Sequence, residues 1–379
     1  MSQDLKKPII IDLGSSEIKA GFFDNSSPTI RFKNIIGDAL SKRNKSLLNK
    51  EHYISSECDK YYNDLSIRYP IKRGVFTKED DIQLIFEYIL TKLGLNTQQM
   101  KEHPLLITEP INNKLSNSEK ISEILFEKMN IPSLIFAKQP LLSLISTGYS
   151  TGVVLESGSD ITQSCVSYEG YLIENSFYRF DYGGRDVSGI LKILLKQNNP
   201  KFNSNILDNN KVLNEIKENQ CYIKTLKDEN EDFVSIPSEY ILPDGGKLVL
   251  NDEKILAPEI LFNNKLIFGE YLTFHEMVIN SINKVDINIK NKLYKTIILS
   301  GGNTKFKGIE DKMKTNLSYL IPRGVDIKIR TQINPELNCW NGGNIIASLN
   351  TFNNMLVNKK EWDECGKNII HIKNITKTK

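Results

Sequence analysis

The stretch IIIDLGSSEIKAGFF occupies residues 9–23 and places two apolar runs around a small polar turn. This pattern predicts a β-hairpin. Consecutive backbone N–H groups in a turn of this kind bind anions, and Lys19 can add a positive charge. Asp12 ends the first apolar run and suits a hydrated magnesium ion, which takes only one or two carboxylates. The alternative is an ordinary hairpin with a polar turn.

The composition indicates a globular, water-soluble protein. The chain has 379 residues, of which 40% are hydrophobic and 25% charged, enough for two domains with separate cores. A net charge of +3 gives no reason to expect a direct nucleic-acid partner. No apolar run approaches the ~18 residues of a membrane-spanning helix, and the start, MSQDLKKP, lacks a signal-peptide core. Five scattered cysteines and four dispersed histidines predict reduced thiols and no metal cluster.

The opening motif recurs in the middle of the chain. Residues 152–166, GVVLESGSDITQSCV, repeat the order of apolar run, acid, glycine, serine and apolar run. Glu156 falls on Asp12, Gly158 on Gly14 and Ser159 on Ser15. Because each copy opens a region of alternating strands and helices, the repeat predicts a duplicated α/β architecture with two phosphate turns facing across a cleft.

Other segments predict the elements around these turns. Residues 104–108 and 133–137 are typical of buried strands, and Thr77 with Asp80 predicts a capping box before a helix. A strand from Thr296 runs into Gly301-Gly302, where bare backbone suits a flat purine or sugar, although such a pair is more often only a turn. Trp340–Gly343 is followed by one final predicted helix with Ile345, Ile346, Leu349, Phe352 and Leu356 on its apolar side.

Longer stretches identify a family. The sequence resembles actin along nearly its whole length, and several details, such as GRDVSG, are closest to the branch that contains centractin, the actin-related subunit of dynactin. It lacks the large insertions of several nuclear actin-related proteins. The matching stretches include LSIRYPIKRGVFT (65–77), HPLLITEP (103–110), STGVVLESG (150–158), GGRDVSG (183–189), LSGGNTKFKGI (299–309) and GGNIIASLNTF (342–352).

The resemblance implies the actin-like ATPase fold, with two duplicated lobes and a nucleotide cleft between them. The first lobe is expected at 1–148, with a small exposed subdomain at about 32–69 and C-terminal helices at 337–379 that return to it. The second is expected at 149–336, with a small subdomain at about 185–265. The cofactors implied are ATP or ADP with magnesium, or calcium in its place.

The resemblance also assigns site residues. Gln139 would orient the attacking water, with Glu156 and Gln163 as the other catalytic positions. Asp12 would hold magnesium through water, and Asp160 is a second candidate for the metal shell. The nucleotide would contact Asp12, Gly14, Ser15, Ser16, Lys19, Gly158, Ser159, Asp160, Gly184, Lys217, Glu218, Gly301, Gly302, Asn303 and Phe306.

Four departures from the family pattern fall at this site. Glu156 replaces an aspartate, Ser159-Asp160 replaces Asp-Gly, Gln163 replaces a histidine, and Glu336 replaces a lysine near the adenine. Because a misplacement of ~1 Å can cost about a hundredfold in rate, we expect nucleotide binding to be retained and hydrolysis to be weak or absent. The alternative is simple drift in a nucleotide site that is retained for structure.

Other departures concern assembly. Arg73 replaces the histidine that actin methylates. The loop Ala39–Asn49 is basic where actin's filament-docking loop is apolar, whereas the segment Leu266–Leu272 stays apolar. We expect a cytoplasmic, cytoskeletal subunit that joins other actin-family or complex subunits without inserting into membranes. The alternative is a nuclear subunit of a chromatin-remodelling complex, and a sugar kinase is disfavoured. An apolar partner cleft is predicted from Ile145, Ile345, Ile346, Leu349 and Met355.

Overall fold

The structure is a computed structural model that describes residues 6–40, 48, 50–199, 210–225, 237–242, 245–263, 265 and 270–373. The chain forms two compact units. The first unit comprises Met1–Ser150, Ser167–Ile173 and Leu337–Lys379, and the second comprises Thr151–Val166 and Glu174–Glu336. Most of the basic loop at 39–49 and the first part of the segment 266–272 lie outside the described residues.

The strands of the first unit form a sheet in the order β19-β10-β9-β1-β2-β3. Strands β1, β9 and β10 are parallel and almost wholly buried, so their sequences are continuous apolar runs. Smaller pairings place β4 between β5 and β6, and β7 against β8. The bounds are β1 Ile9–Leu13, β2 Glu17–Phe22, β3 Ile30–Lys33, β4 Ile36–Ala39, β5 His52–Ile54, β6 Leu65–Arg68, β7 Ile71–Lys72, β8 Val75–Phe76, β9 Leu105–Glu109 and β10 Ser133–Lys138.

The second unit is built on a sheet in which β12, β11, β17 and β18 are successive neighbours. Strands β11, β17 and β18 are parallel, and β14 pairs with β12. The far end of β12 and strand β13 belong to the first unit. The bounds are β11 Gly152–Ser157, β12 Thr162–Tyr168, β13 Tyr171–Leu172, β14 Tyr178–Phe180, β15 Ser238–Ile241, β16 Lys247–Leu250, β17 Ile297–Ser300 and β18 Ile329–Thr331. The last strand, β19 Val357–Asn358, returns to the sheet of the first unit.

Helices connect and cover these strands, which confirms the mixed α/β class. A π-helical turn, Ile124–Lys128, continues α4. The helices are α1 Ser56–Lys60, α2 Glu79–Lys92, α3 Thr97–Met100, α4 Leu115–Glu123, α5 Gln139–Ser146, α6 Gly184–Asn198, α7 Asn210–Gln220, α8 Glu253–Leu256, α9 Phe274–Asn283, α10 Ile287–Tyr294, α11 Ile309–Leu320, α12 Asn338–Ala347, α13 Phe352–Met355, α14 Lys359–Cys365 and α15 Asn368–Ile372.

The predicted hairpin at 9–23 is confirmed. Strands β1 and β2 pair antiparallel with Ile11 opposite Ala20 and Asp12 opposite Lys19. Residues directly opposite on neighbouring strands have side chains on the same face of the sheet. The register of the hairpin alone therefore brings the carboxylate of Asp12 next to the ammonium of Lys19.

The predicted capping box before α2 is wrong. The helix begins at Glu79 after Lys78, with no side-chain cap, and the Thr77 hydroxyl donates to the carbonyl oxygen of Pro70 at 3.2 Å. The backbone of Thr77 also donates to Pro70 O at 2.8 Å. Thr77 therefore closes the preceding turn, and the three acids at the start of α2 face its positive end instead.

The C-terminal helix also differs from the prediction. Residues 340–343 lie inside α12, and the expected single helix ends at Ala347 before the short helix α13. A Cβ atom on Gly342 would collide with the carbonyl of Leu142, and one on Gly343 would lie 2.8 Å from Ile10 Cγ2. The two glycines are thus needed because α12 packs directly against α5 and β1, and not because the chain turns there.

Candidate functional site

The carboxyl ends of the three parallel strands of the first unit carry its polar residues. Asp12 lies near the end of β1, Thr108 near the end of β9, and Gln139 directly after β10. Open α/β sheets bind ligands at the carboxyl ends of their strands. The topology alone therefore predicts a ligand site at this edge of the sheet.

Asp12 and Lys19 form a buried ion pair at this edge. Lys19 Nζ lies 3.1 Å from Asp12 Oδ2, and both side chains are less than 10% exposed. Burial lowers the pKa of Lys19, but the charges of Asp12 and Glu17 outweigh that effect and raise the pKa overall. The ammonium is therefore fixed and fully charged at neutral pH, as binding of an anion requires.

Thr108 connects this pair to Gln139. Its hydroxyl donates to Asp12 Oδ1 at 2.7 Å and accepts from the backbone N–H of Leu13 at 3.1 Å and from Gln139 Nε2 at 3.3 Å. The carboxylate of Asp12 is thus held at both oxygens. Thr108 was not among the predicted site residues, because a buried threonine in an apolar strand carries no signal of its partner 96 residues away.

The loop between β1 and β2 presents backbone donors. A Cβ atom on Gly14 would collide with the carbonyl of Glu17, so the loop requires glycine there. Asn34 Nδ2 fixes the loop by donating to Gly14 O at 3.0 Å. The backbone N–H groups of Ser15 and Ser16 donate no hydrogen bond to any part of the chain that the structure describes. Two adjacent N–H groups in a small-residue turn are the donors of an anion-binding nest.

The corresponding loop of the second unit is tied to the start of α6. Gly158 O accepts from Gly184 N at 3.0 Å, and Ser159 O accepts from Arg185 N at 2.9 Å. Asn303 Nδ2 also donates to Gly158 O, at 2.8 Å. The predicted residues Gly158, Ser159, Gly184 and Asn303 are therefore brought together in this unit.

Asp160 makes an ion pair that the sequence reasoning missed. Arg185 Nε lies 3.2 Å from Asp160 Oδ1, and the Ser159 hydroxyl donates to the same oxygen at 3.3 Å. The Asp160 side chain is almost fully buried, whereas that of Arg185 is about one-third exposed. The guanidinium of Arg185 thus compensates the charge of Asp160, whose place in a metal shell stays a prediction.

The two remaining catalytic candidates are buried in the sheet of the second unit. Glu156 is the second-last residue of β11 and lies opposite Ser300 of β17, and Gln163 lies on β12 opposite Arg179. Both residues are less than 10% exposed. A buried glutamine side chain carries no charge and titrates nowhere near neutral pH, so Gln163 cannot exchange a proton as a histidine would.

The double glycine after β17 borders open space. Gly301 has φ 87°, a conformation that favours glycine, and a Cβ atom there would collide with the carbonyl of Ser157. A Cβ atom on Gly302 would meet no atom within 4 Å. Phe306 follows four residues later and is buried. A ring could therefore lie against the Gly302 backbone, as the sequence predicts.

Lys217 lies close to this turn. Its Nζ donates to Gly184 O at 3.1 Å and to Asn214 Oδ1 at 3.2 Å. Burial lowers the pKa of Lys217, and the opposing charge of Glu218 is too weak to restore it. Glu218 itself is exposed on α7. Both side chains thus lie on the helix beside α6, where they could contact a bound sugar.

The predicted partner cleft falls entirely in the first unit. Ile345 and Leu349 are 42% and 43% exposed, whereas Ile346 is 6% exposed and belongs to the core around Ile10 and Trp340. Ile145 and Met355 are partly buried against the same core. Ile346 therefore offers little surface to a partner, and Ile345 and Leu349 offer the most.

The described residues contain neither a membrane-spanning helix nor a cluster of metal-binding side chains. No helix in the described ranges is long and apolar enough to cross a membrane. Within those ranges, no group of three or more His, Cys, Asp or Glu side chains could hold a metal ion.

Comparison with known proteins identifies the family of this chain. The family model described as Actin matches residues 3–375. A protein of Neurospora crassa described as an actin-like protein is 37% identical over 376 residues, and the match covers 97% of each chain. Both matches include the loops of the two units. The chain belongs to the actin family.

Proposed function

We propose that this protein binds ATP or ADP with magnesium and serves as a structural subunit of a cytoskeletal filament or multiprotein assembly of the centractin type. Members of the actin family generally bind a nucleotide with a divalent cation. The observation that carries the proposal is the Asp12–Lys19–Thr108 network beside the Gly14–Ser16 loop. It combines a fixed positive charge, free backbone donors and a doubly held carboxylate.

The first unit supplies the phosphate and metal contacts in this proposal. The N–H groups of Ser15 and Ser16 and the ammonium of Lys19 bind phosphate oxygens. Asp12 binds the magnesium ion through water, which suits an ion that keeps most of its waters. Calcium, which accepts the same oxygen ligands with longer bonds, is the alternative cation.

The second unit supplies the remaining contacts. Gly158 and Ser159 face the phosphates, and Lys217 and Glu218 contact the ribose. Gly301, Gly302 and Phe306 border the base. Gly184 permits this arrangement, since a Cβ atom there would lie 2.7 Å from Asn303 Oδ1.

We further propose that hydrolysis is weak or absent. Gln139 is retained and hydrogen-bonded to Thr108, but three of the predicted site positions in the second unit differ from the family. Glu156 is one methylene longer than aspartate, Gln163 cannot act as a base, and Asp160 is bound to Arg185. Because phosphoryl transfer depends on alignment and electrostatics, these changes act on the step itself and spare binding.

The test of this function combines a binding titration with ATP turnover. The protein is expected to bind magnesium-ATP and magnesium-ADP, with turnover about a hundredfold below that of actin measured alongside. The double variant Glu156→Asp with Gln163→His is expected to raise turnover and leave affinity within about threefold. Turnover equal to that of actin would contradict the weak hydrolysis, and absence of binding would contradict the proposal as a whole.

The assembly role is tested separately. Ile345 and Leu349 give the first unit an exposed apolar surface near α12, as a docking partner would need. Affinity purification from cells, with localisation, is expected to recover other actin-family subunits from the cytoplasm, and the variant Ile345→Asp with Leu349→Asp is expected to lose them. Recovery of a chromatin-remodelling complex from nuclei would support the alternative instead. Abundant pelleting of the purified protein in polymerising salt would show that it assembles alone.

A further inference from the structure

The second unit contains a cleft of about 400 Å³ between helices α9 and α11 and the residues that follow the 3-10 turn Pro258–Leu261. Ligand pockets in proteins have volumes of about 300–1,000 Å³. The lining of this α9–α11 cleft includes none of the residues assigned to the nucleotide. The cleft is therefore a separate candidate for binding.

Two stacked rings form one part of the lining. Phe262 and His275 lie with their ring centroids 6.1 Å apart and their planes at 10° to each other. Burial lowers the pKa of His275, an effect that the charge of Glu276 opposes and that of Lys312 reinforces. The imidazole is therefore neutral at pH 7, and this part of the cleft is aromatic and uncharged.

One face of helix α11 forms another part of the lining. Lys312, Asn316, Tyr319 and Leu320 follow helical spacing and all line the cleft. Tyr319 is 74% exposed and Leu320 is 49% exposed. Tyrosine is enriched in protein interfaces and among the residues that carry most of their binding energy. This face of α11 thus offers apolar area that a bound chain would bury.

Two amide side chains supply hydrogen-bonding groups in the cleft. Asn263 Oδ1 accepts from the backbone N–H of Lys265 at 3.2 Å, and Asn316 Nδ2 lies 3.3 Å from His275 Nδ1. Among the described residues, Asn263 Nδ2 and Asn316 Oδ1 have no hydrogen-bond partner. The cleft therefore keeps an amide donor and an amide acceptor available, which match the C=O and N–H groups of a peptide main chain.

The charges that line the cleft cancel. Lys312 Nζ and Glu259 Oε1 lie 4.0 Å apart, and their side chains are only 14% and 24% exposed. The neutral His275 adds no charge. Phosphate groups are bound by cations that no carboxylate already compensates, and cationic ligands need the reverse. The lining therefore favours an uncharged ligand.

We propose that the α9–α11 cleft binds an uncharged peptide segment of a partner protein through one aromatic side chain. The aromatic ring packs against Phe262 and Tyr319, and the main chain beside it exchanges hydrogen bonds with Asn263 and Asn316. Nucleotides and phospholipid headgroups are disfavoured because both bring phosphate charge. The inference goes beyond the proposed function and does not depend on nucleotide binding.

A library of short random peptides displayed on phage and selected on the full chain tests the proposal. The enriched peptides are expected to share an aromatic residue with uncharged neighbours. Their affinities are then measured by fluorescence polarisation. The variant Asn316→Ala with Tyr319→Ala is expected to bind them about tenfold more weakly or worse, because truncated interface tyrosines often have effects of this size. Its affinity for magnesium-ADP is expected to equal that of the wild type, which also shows that the variant is folded.

The matched control is Tyr62→Ala in the first unit. Tyr62 is 47% exposed and does not line the cleft, so this variant is expected to bind the selected peptides as the wild type does. Selection of no peptide, or of peptides that share only charged residues, would overturn the proposal. Equal affinity of the selected peptides for the wild type and the α11 variant would also overturn it, whether or not they bind instead at Ile345 and Leu349. Each of these results would leave the proposed nucleotide binding standing.

Discussion

Each unit places an acid and a cation beside its glycine-containing loop, but the two pairs are built differently. Asp12 and Lys19 face each other across a hairpin, both buried, and Thr108 holds the second oxygen of the acid. Asp160 is a loop residue, and Arg185 reaches it from α6 with about a third of its side chain in solvent. The first ion pair is therefore set by the register of the sheet, whereas the second joins a loop to a helix and leaves its cation partly in solvent.

This difference explains where the family pattern has changed. An altered residue at position 12 or 19 would leave a buried charge without its partner, and such losses are expensive. At the second loop, about one-third of the Arg185 side chain is exposed, so the guanidinium can move with an acidic side chain whose position has changed. The substitutions Glu156, Ser159, Asp160 and Gln163 all fall on this second side.

The largest effect on stability is expected from Asp12→Ala, which leaves the buried ammonium of Lys19 without its carboxylate partner. We expect a loss of about 3–5 kcal/mol of unfolding free energy in urea, together with loss of nucleotide binding. Asp326→Ala is the control, since Asp326 is 55% exposed and pairs with an exposed Lys328, and it should cost less than about 0.5 kcal/mol. A cost below about 1 kcal/mol for Asp12→Ala would show that the Asp12–Lys19 pair contributes no more than an exposed ion pair, and would contradict the difference drawn between the two units.

Thr108→Val tests whether the first pair is held as a network. The substitution keeps the shape of the side chain but removes the hydroxyl that binds Asp12, Leu13 and Gln139. We expect a loss of about 1–3 kcal/mol in urea unfolding, because buried polar groups lose their partner. Thr147→Val, which removes a bond made only to Leu144 O within the same turn, is expected to cost less. Equal costs would show that Thr108 plays no linking role.

A smaller effect is expected at the second loop. Asp160→Ala should cost about 1 kcal/mol, since the stranded Arg185 can turn toward water. Hydrogen exchange measured by mass spectrometry should nevertheless accelerate in peptides covering 158–161 and remain unchanged at 9–23. If Asp160→Ala destabilises the protein as much as Asp12→Ala does, the second pair is as rigid as the first.

The smallest effect concerns the two buried lysines and pH. The pKa of Lys217 is lower in the folded chain than in the unfolded chain. Between these two pKa values the unfolded chain binds more protons, so the unfolding free energy increases as pH rises toward 10.5. The folded pKa of Lys19 is raised, so its stabilisation is complete below 10.5 and is lost only as pH rises through the higher folded value.

Urea unfolding between pH 7 and pH 10 distinguishes these cases. Relative to Lys217→Met, the wild type should gain stability as pH rises, whereas relative to Lys19→Met its advantage should stay constant over this range. Parallel curves for all three proteins would contradict the opposite directions of the two pKa shifts.

Local patterns predicted much of the fold and part of the site. The β1–β2 register follows from alternation on either side of a Gly-Ser-Ser turn, and it brings Asp12 to Lys19 without tertiary information. The parallel strands β9 and β10 follow from short apolar runs. These features depend on neighbours in the chain, which a sequence displays directly.

Features that depend on distant residues were missed. Thr108 and Arg185 each contact their partner only through the packing of another element. The final helix was predicted to follow Gly342 and Gly343, because the tight packing that requires these glycines inside α12 involves Leu142 and Ile10, which are distant in the sequence. Thr77 matched a capping pattern, but Pro70 O competes for its hydroxyl.

The packing of α12 has a consequence for the order in which the protein is made. Trp340 Nε1 donates to Ile10 O at 3.2 Å, and β19 completes the edge of β10, so the N-terminal sheet is closed by the C-terminal segment. A ribosome must therefore release almost the whole chain before the first unit can finish folding, whereas the residues of the second unit have emerged by Glu336. During synthesis the first unit begins to emerge first, but its strand β1 lacks the cover of α12 until nearly the whole chain has been made. The first unit is therefore the more exposed of the two to aggregation.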